Sequence, residues 1–373
     1  MYSFEKKNCL FVILWVCLIF PAYTQETCEQ TLNQAAAEFE AGRFYSVPTL
    51  LSSCLASGFT SEQRFRAYYI LTQAYLVLDD PIGAENSYLK LLAINPEFKP
   101  NEKDDPIDLV YLSEKFTTRP RFTPHYRVGA NISFPQSIYG VNTFSSNNVK
   151  SSQTQRVGIQ VGVGVDWNLT DHWSIGVEGN FSTKSFAINS AGIAIDDDLN
   201  VIDKSTWVDV PIYIKYSYDS GKWRPFIYAG FALNLLISNT AAIVFNDRAS
   251  QTTNTKIAQG ADVDLAFQRN FLNRSLLAGG GVKYKIGKNF VYLDARYMMG
   301  MNNITIPDKN YYTQDGSLAS TISTDQYVSD FFRLDNLSLS IGYIKPLYDP
   351  RKLKTGSGRG FIKNIFRKKP KKS

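Results

Sequence analysis

"RVGIQVGVGVDWNLTDHWSIGVEGNFS" runs from Arg156 to Ser182, and its alternation decides the fold. Val157, Ile159, Val161, Val163, Val165 and Trp167 share one parity; Gly158, Gln160, Gly162, Gly164 and Asp166 share the other. After a short polar break the pattern resumes with Trp173, Ile175, Val177 and Phe181 against Ser174, Gly176, Glu178 and Asn180. Side chains alternate faces along a strand, so this stretch reads as a β-hairpin with one apolar face and one small or charged face. Whether the valines point into a core or outward into lipid settles what kind of protein this is.

Working outward, the period of two holds from Tyr126 to Tyr343. A strand led by Tyr126, Val128, Ala130 and Ile132 precedes the hairpin. Five follow it, led by Val208, Val210, Ile212 and Ile214; Ile227, Ala229, Phe231 and Leu233; Leu276, Ala278, Val282 and Tyr284; Val291, Leu293, Ala295 and Tyr297; and Leu337, Leu339, Ile341 and Tyr343. That makes eight. Their connections alternate strictly: "LTDH", "DSGK" and "IGKN" are tight, whereas 139–155, 187–205, 239–266 and 303–330 are long and polar. Short turns at one end and long loops at the other are the pattern of a transmembrane barrel.

A soluble barrel would alternate too, so the aromatics must discriminate. Trp167 and Trp173 flank the first tight turn, Tyr218 and Trp223 the second, and Tyr126, Tyr284 and Tyr343 lie at the same level. All seven share the parity of their strand's apolar set, as a girdle at the edge of an outward apolar band requires. Phe290 breaks the rule. The opposite parity carries Arg127, Asp166, Glu178, Asp209, Lys215, Lys283, Asp294 and Arg296, charges of both signs that must pair across an enclosed lumen. Eight strands leave a lumen that side chains just fill, with no water-wide pore. The valines are therefore expected to face lipid.

Residues 1–24 carry Lys6 and Lys7, the apolar run "CLFVILWVCLIF", and then "PAYTQ", the order of a secretory signal peptide cleaved after Thr24. The apolar run is short for a membrane span, which takes ~20 residues. Processing leaves Cys28 and Cys54, too few for a structural zinc site and suited to one disulfide in an oxidising compartment.

From Glu29 to Phe116 the period becomes helical. Tyr68, Leu71, Thr72, Tyr75, Ala84, Tyr88, Leu91 and Pro96 follow the spacing of a tetratricopeptide repeat (TPR), and Leu32, Ala35, Ala36 and Phe39 repeat its first-helix positions. Two antiparallel helices turning near Gly42 would set Cys28 beside Cys54, and the bridge is worth ~3 kcal/mol for a loop of that size. "DDPIDLVYLSEKF" reads as a further helix, with Asp105 as N-cap and Pro106 at the first helical position.

The strand motifs "GVGVDWNLTDHWSIGVEGNF" and "LLAGGGVKYKIGKNFVYLDARY" make residues 121–348 resemble the PorT-like outer-membrane β-barrel proteins of certain Gram-negative bacteria. The spacing over 31–96 resembles a periplasmic TPR module placed ahead of such a barrel. Some relatives assist type IX protein secretion, so the resemblance implies a secretion or assembly role; it brings no catalytic motif.

The expectation is thus an α plus transmembrane β protein: a signal peptide over 1–24, a TPR-like helical domain over 25–118, an eight-stranded antiparallel outer-membrane barrel over 121–348, and a basic tail over 349–373. An even strand count returns both termini to the periplasm. The formal charge of +6 belongs to the tail, since residues 351–373 hold ten Lys/Arg and no Asp/Glu. Within it Phe361, Ile362, Ile365 and Phe366 line one helical face among Arg359, Lys363, Arg367, Lys368 and Lys369. That face suits anionic lipid of the inner leaflet or an acidic partner. Export excludes nucleic acid.

No phosphate loop, metalloprotease helix or CxxC is present. His125 and His172 fall at the tight-turn rim, where hydrogen bonds to turns are expected of them, and "IDDDLNVID" (Asp196, Asp197, Asp198, Asp203) reads as solvated loop charge without the spacing of a calcium loop. The expected function is a cofactor-free, non-enzymatic anchor in outer-membrane lipid that docks periplasmic or outer-membrane proteins. The alternatives are a small channel or ligand receptor acting through the long loops, and a lipid-modifying enzyme.

Overall fold

A computed structural model of the chain describes residues 22–140, 150–191, 198–247, 256–259, 262–312 and 328–353. The leader up to residue 21 and the tail positions Arg359 to Lys369 lie outside the described residues. The chain divides into two units, Met1–Arg119 with Tyr348–Ser373, and Pro120–Leu347.

In the first unit local chemistry starts and stops each helix. Helix α1 (Ala22–Glu40) ends at Gly42, whose φ of +75° turns the chain into α2 (Ser46–Ala56) at no steric cost. Helix α3 (Ser61–Val77) opens on a capping box: the Thr60 hydroxyl accepts from the Gln63 amide, and the Gln63 side chain accepts from the Thr60 amide. Helix α4 (Pro81–Ile94) has proline in its first turn, and the Asp80 carboxylate accepts from the Gly83 amide at 2.9 Å.

Two cores form around α3. One buries Leu32, Ala35, Val47, Leu51, Ala67 and Leu71, with Cys28 and Cys54 joined as a disulfide between α1 and α2. The other buries Ala84, Tyr88, Leu91, Leu109, Leu112 and Phe116. Tyr68 and Tyr75 are half-buried and pack on both, while Thr72 and Pro96 are buried. Replacing Thr60 with alanine is expected to cost about 1 kcal/mol, seen as roughly fivefold faster amide exchange in the first turns of α3 in the full chain. Unchanged exchange would mean the cap contributes nothing.

Asp105 does not cap the next helix. Helix α5 (Ile107–Glu114) starts one residue later than the sequence suggests, with Pro106 in the capping position and no side-chain cap. The Asp105 carboxylate is taken instead by the Tyr69 hydroxyl and by the Asn101 amide at 2.6 Å, so a tertiary contact outbids the local one. The stretch read as a tail at 349 also begins with structure. Arg351–Lys352 (β12) pairs with Phe116–Thr117 (β1), and the Lys352 ammonium meets Glu85 at 2.6 Å.

The second unit holds eight long strands: β2 (Phe122–Tyr139), β3 (Lys150–Asn168), β4 (Trp173–Ala191), β5 (Asp198–Ser217), β6 (Trp223–Asp247), β9 (Leu272–Ile286), β10 (Asn289–Gly300) and β11 (Phe331–Ile344). Each pairs antiparallel with the next in chain order, and β11 pairs back onto β2, so the ring closes. Two short strands, β7 (Lys256–Gln259) and β8 (Val263–Asp264), add to the upper edge of β6. Closure leaves none of the eight strands as an open edge at membrane depth, which hydrocarbon demands.

On β3 the apolar set is exposed: Val157 by 71%, Ile159 by 70%, Val161 by 54% and Val163 by 56%, whereas Gly158, Gln160, Gly162 and Asp166 are buried. The greasy face is outside. From Trp167 to Val157 the band runs about 33 Å along the strand, or about 25 Å along the axis at the usual tilt, the height of an outward apolar band.

The strands run further than their alternation predicts, since β3 starts at Lys150, β4 reaches Ala191 and β6 reaches Asp247. Above the band both faces of β3 meet water, so the period of two vanishes from the sequence while the ladder continues. The acidic stretch also differs from its reading, because β5 keeps one face buried above the band, with Leu199 and Val201 packed inward. Asp196 and Asp197 lie outside the described residues, but Asp198 heads β5 and Asp203 is a buried strand residue, not solvated loop charge.

Candidate functional site

The inward face of the barrel is the chemically distinctive part of the chain. It is built by residues whose parity opposes the valines. Glycines on that face make room for large partners: a Cβ on Gly176 would stand 2.1 Å from the Tyr213 ring, and one on Gly164 would meet His125 at 2.5 Å. The small face of the opening hairpin is therefore space left for a polar core.

Glu178 is the centre of the lowest layer. Its two oxygens accept a bidentate pair from Arg296, at 2.8 Å each, and Arg127 donates to one of them at 3.2 Å. The Tyr213 hydroxyl donates to it at 2.8 Å, and His125 Nε2 lies 3.3 Å away. Arg127 also reaches Asp294 at 2.8 Å, whose other oxygen accepts from the Tyr228 hydroxyl at 2.7 Å. Asp166 pairs with Lys215 at 2.5 Å and lies 3.1 Å from the same Tyr213 hydroxyl, as the alternative acceptor of its proton. These close pairs offset part of the cost of burying the charges, while Arg127 Nε and His125 Nδ1 stay without a hydrogen-bond partner among the described residues.

Higher up, Asp209 accepts from Ser182 at 2.7 Å, from Lys184 at 3.0 Å and from Asn234 at 2.5 Å. Above it Arg269 ties four segments together, with Asp203 at 3.0 Å, Asn239 at 2.9 Å, Thr305 at 2.7 Å and Ser329 at 3.1 Å. Its guanidinium lies over the Phe332 ring, within an apolar layer of Phe186, Trp207, Leu236 and Ile304. The space left beside His125, Arg127, Tyr228 and Arg296 is about 10 Å³, room for roughly one water.

Of the charges read from sequence, Arg127, Asp166, Glu178, Asp209, Lys215, Asp294 and Arg296 are buried and joined in this way. Lys283 sits at the mouth, half-buried and paired with Asp219 of the second tight turn at 2.8 Å. The seven girdle residues Tyr126, Trp167, Trp173, Tyr218, Trp223, Tyr284 and Tyr343 are all exposed, and Trp223 packs against Tyr284 with ring centres 4.7 Å apart. Phe290 points inward beneath the Arg224 guanidinium.

His125 is corrected: it is a lumen residue beside Glu178, because its parity is that of Arg127. His172 does meet a turn, with Nδ1 3.1 Å from the Ser217 carbonyl oxygen. Sequence reasoning also missed Tyr213, Tyr228, Lys184 and Arg269. The first three share parity with the charges around them and were findable. Arg269 precedes β9 in irregular chain and carries no periodic signal.

Comparison with known proteins finds no match among those of curated function. Similar solved structures include OprG from Pseudomonas aeruginosa, at 13% identity with 63% of this chain and 99% of that one covered and a TM-score of 0.33. The outer membrane protein AlkL in lipid bilayers is 11% identical, with 64% and 93% covered and a TM-score of 0.32. A major outer membrane protein from Thermus thermophilus is 11% identical, with 59% and 99% covered and a TM-score of 0.28. The weight rests on a family model, that of the outer membrane protein beta-barrel domain, which matches residues 118–305, half of the chain. With the ring closed, the apolar face outward and the charges enclosed, this chain belongs to the outer membrane protein beta-barrel domain family.

Proposed function

We propose that the chain is a non-enzymatic outer-membrane anchor whose N-terminal helical unit docks a protein partner. In this reading the unit is a TPR-like module on the periplasmic side, the barrel is of the PorT-like kind, and the assembly is a secretion (type IX-like), motility or envelope complex. The observation that carries it is the lumen. Glu178, Arg127, Arg296, Asp294 and Tyr228 are bonded to one another across its full width, so the barrel offers no path for a solute. A barrel that conducts nothing still fixes a domain to a membrane. Tyr45, Ile82 and Tyr111 are exposed on the helical unit, at 85%, 72% and 61%, and are natural positions to probe for a partner.

Photo-crosslinking in intact cells from each of these three positions is expected to yield discrete protein adducts. Adducts absent at all three would end the docking reading. A second reading, ligand capture at the long-loop end, draws support from the strands that rise past the lipid band and bury Leu199, Val201, Ala241, Ile243 and Leu265 among themselves. Planar-bilayer recordings separate both from a channel: no steady conductance is expected, and a reproducible one would favour transport.

A further inference from the structure

The tight-turn rim of the barrel gathers its exposed cations on one side. Going round the ring through β2, β11, β10, β9 and β6, Arg121 precedes β2, Lys345 follows β11, Lys288 lies in the β9–β10 turn, Lys285 is the next-to-last residue of β9 and Lys222 precedes β6. The ladder makes them neighbours. The Lys285 amide donates to the Lys222 carbonyl at 3.0 Å, Phe290 sits across from both Lys285 and Ile344, and the Lys345 amide donates to Pro124 at 3.0 Å. Five cations thus fall within four strand spacings, about 19 Å.

Arg121, Lys222, Lys288 and Lys345 are exposed and Lys285 is half-buried. The remaining tight turn, Asn168 to Trp173, carries Asp171 and no lysine or arginine. Directly above the cations the outward face exposes Phe122, Trp223, Tyr284, Ile286, Tyr343 and Leu347. A cationic arc over an aromatic and aliphatic belt has the profile of a phospholipid: acyl chains lie on the belt and the phosphate meets the arc.

We infer that this arc binds anionic phospholipid headgroups and gathers anionic lipid against one side of the barrel. The inference rests on the membrane-spanning fold alone; it needs neither the docking role nor the basic tail.

The test places the full chain in nanodiscs of mixed phosphatidylethanolamine and phosphatidylglycerol and adds a photoactivatable analogue of either lipid. The phosphatidylglycerol analogue is expected to label Phe122, Trp223–Phe226 and Tyr284–Val291 at least about threefold more than Trp167–Trp173. The phosphatidylethanolamine analogue should label both arcs alike. The excess should vanish in about 0.5 M salt, which screens exposed charge, and in a variant carrying Arg121→Gln, Lys222→Gln, Lys285→Gln, Lys288→Gln and Lys345→Gln. Even labelling in the native chain at low salt would overturn the proposal, as would an excess that survives both high salt and the five substitutions. The salt arm uses the native chain, so its result holds whether or not the variant folds.

Discussion

Replacing Glu178 with leucine is expected to destabilise the barrel by about 3–5 kcal/mol, because it strands a buried charge. Arg296 would lose its bidentate partner and keep the Tyr228 hydroxyl as a hydrogen-bond acceptor, whereas Arg127 would retain Asp294. Unfolding by urea in lipid vesicles, followed by loss of the compact band on unheated gels, measures the cost. The double replacement Glu178→Leu with Arg296→Met should recover much of the loss, since an apolar pair of similar volume can replace a buried ion pair. A cost below about 1 kcal/mol for the single variant would mean that water reaches this layer and that the lumen is not sealed.

The second large effect lies on the other face. Arginine at Val161, near the middle of the exposed band, is expected to cost about 2–4 kcal/mol, falling toward 0–1 kcal/mol when the same change is made at the band edges. Val161 stands beside Val128 on one neighbour and Phe181 on the other, all outward. Val161→Phe should be nearly neutral, since lipid accommodates a larger side chain where a packed core would be strained by about 1–3 kcal/mol. An arginine penalty that ignores depth, together with a costly Val161→Phe, would place these valines in a protein interior and remove the membrane assignment.

Much of the barrel was legible in the residue order because alternation is a property of one backbone. Val157 to Trp167 on one parity and Gly158 to Asp166 on the other had to face opposite ways whatever the rest of the chain did. The tight turns were equally local; two of the three contain a glycine with positive φ, Gly221 and Gly287. The reading failed where a local pattern stopped and a distant contact took over. Asp105 resembled a helix cap until Tyr69 claimed its carboxylate. Asp203 resembled loop charge because above the lipid band the apolar residues of β5, Leu199 and Val201, take the inward parity, the reverse of the sorting lower in the strand.

Within the lipid band the sequence alone determined which side chains are enclosed and which meet the membrane, since a period of two sorts residues onto faces without reference to any partner. Only the closed ring decided who pairs with whom. Glu178 and Arg296 are 118 residues apart, Arg127 and Asp294 are 167 apart, and Arg269 lies 66 from Asp203. Those pairs depend on the order and stagger of eight strands around a common axis, and no local stretch encodes that. The charges on one face announce that a polar interior must exist, and closure chooses the partners that make it stable.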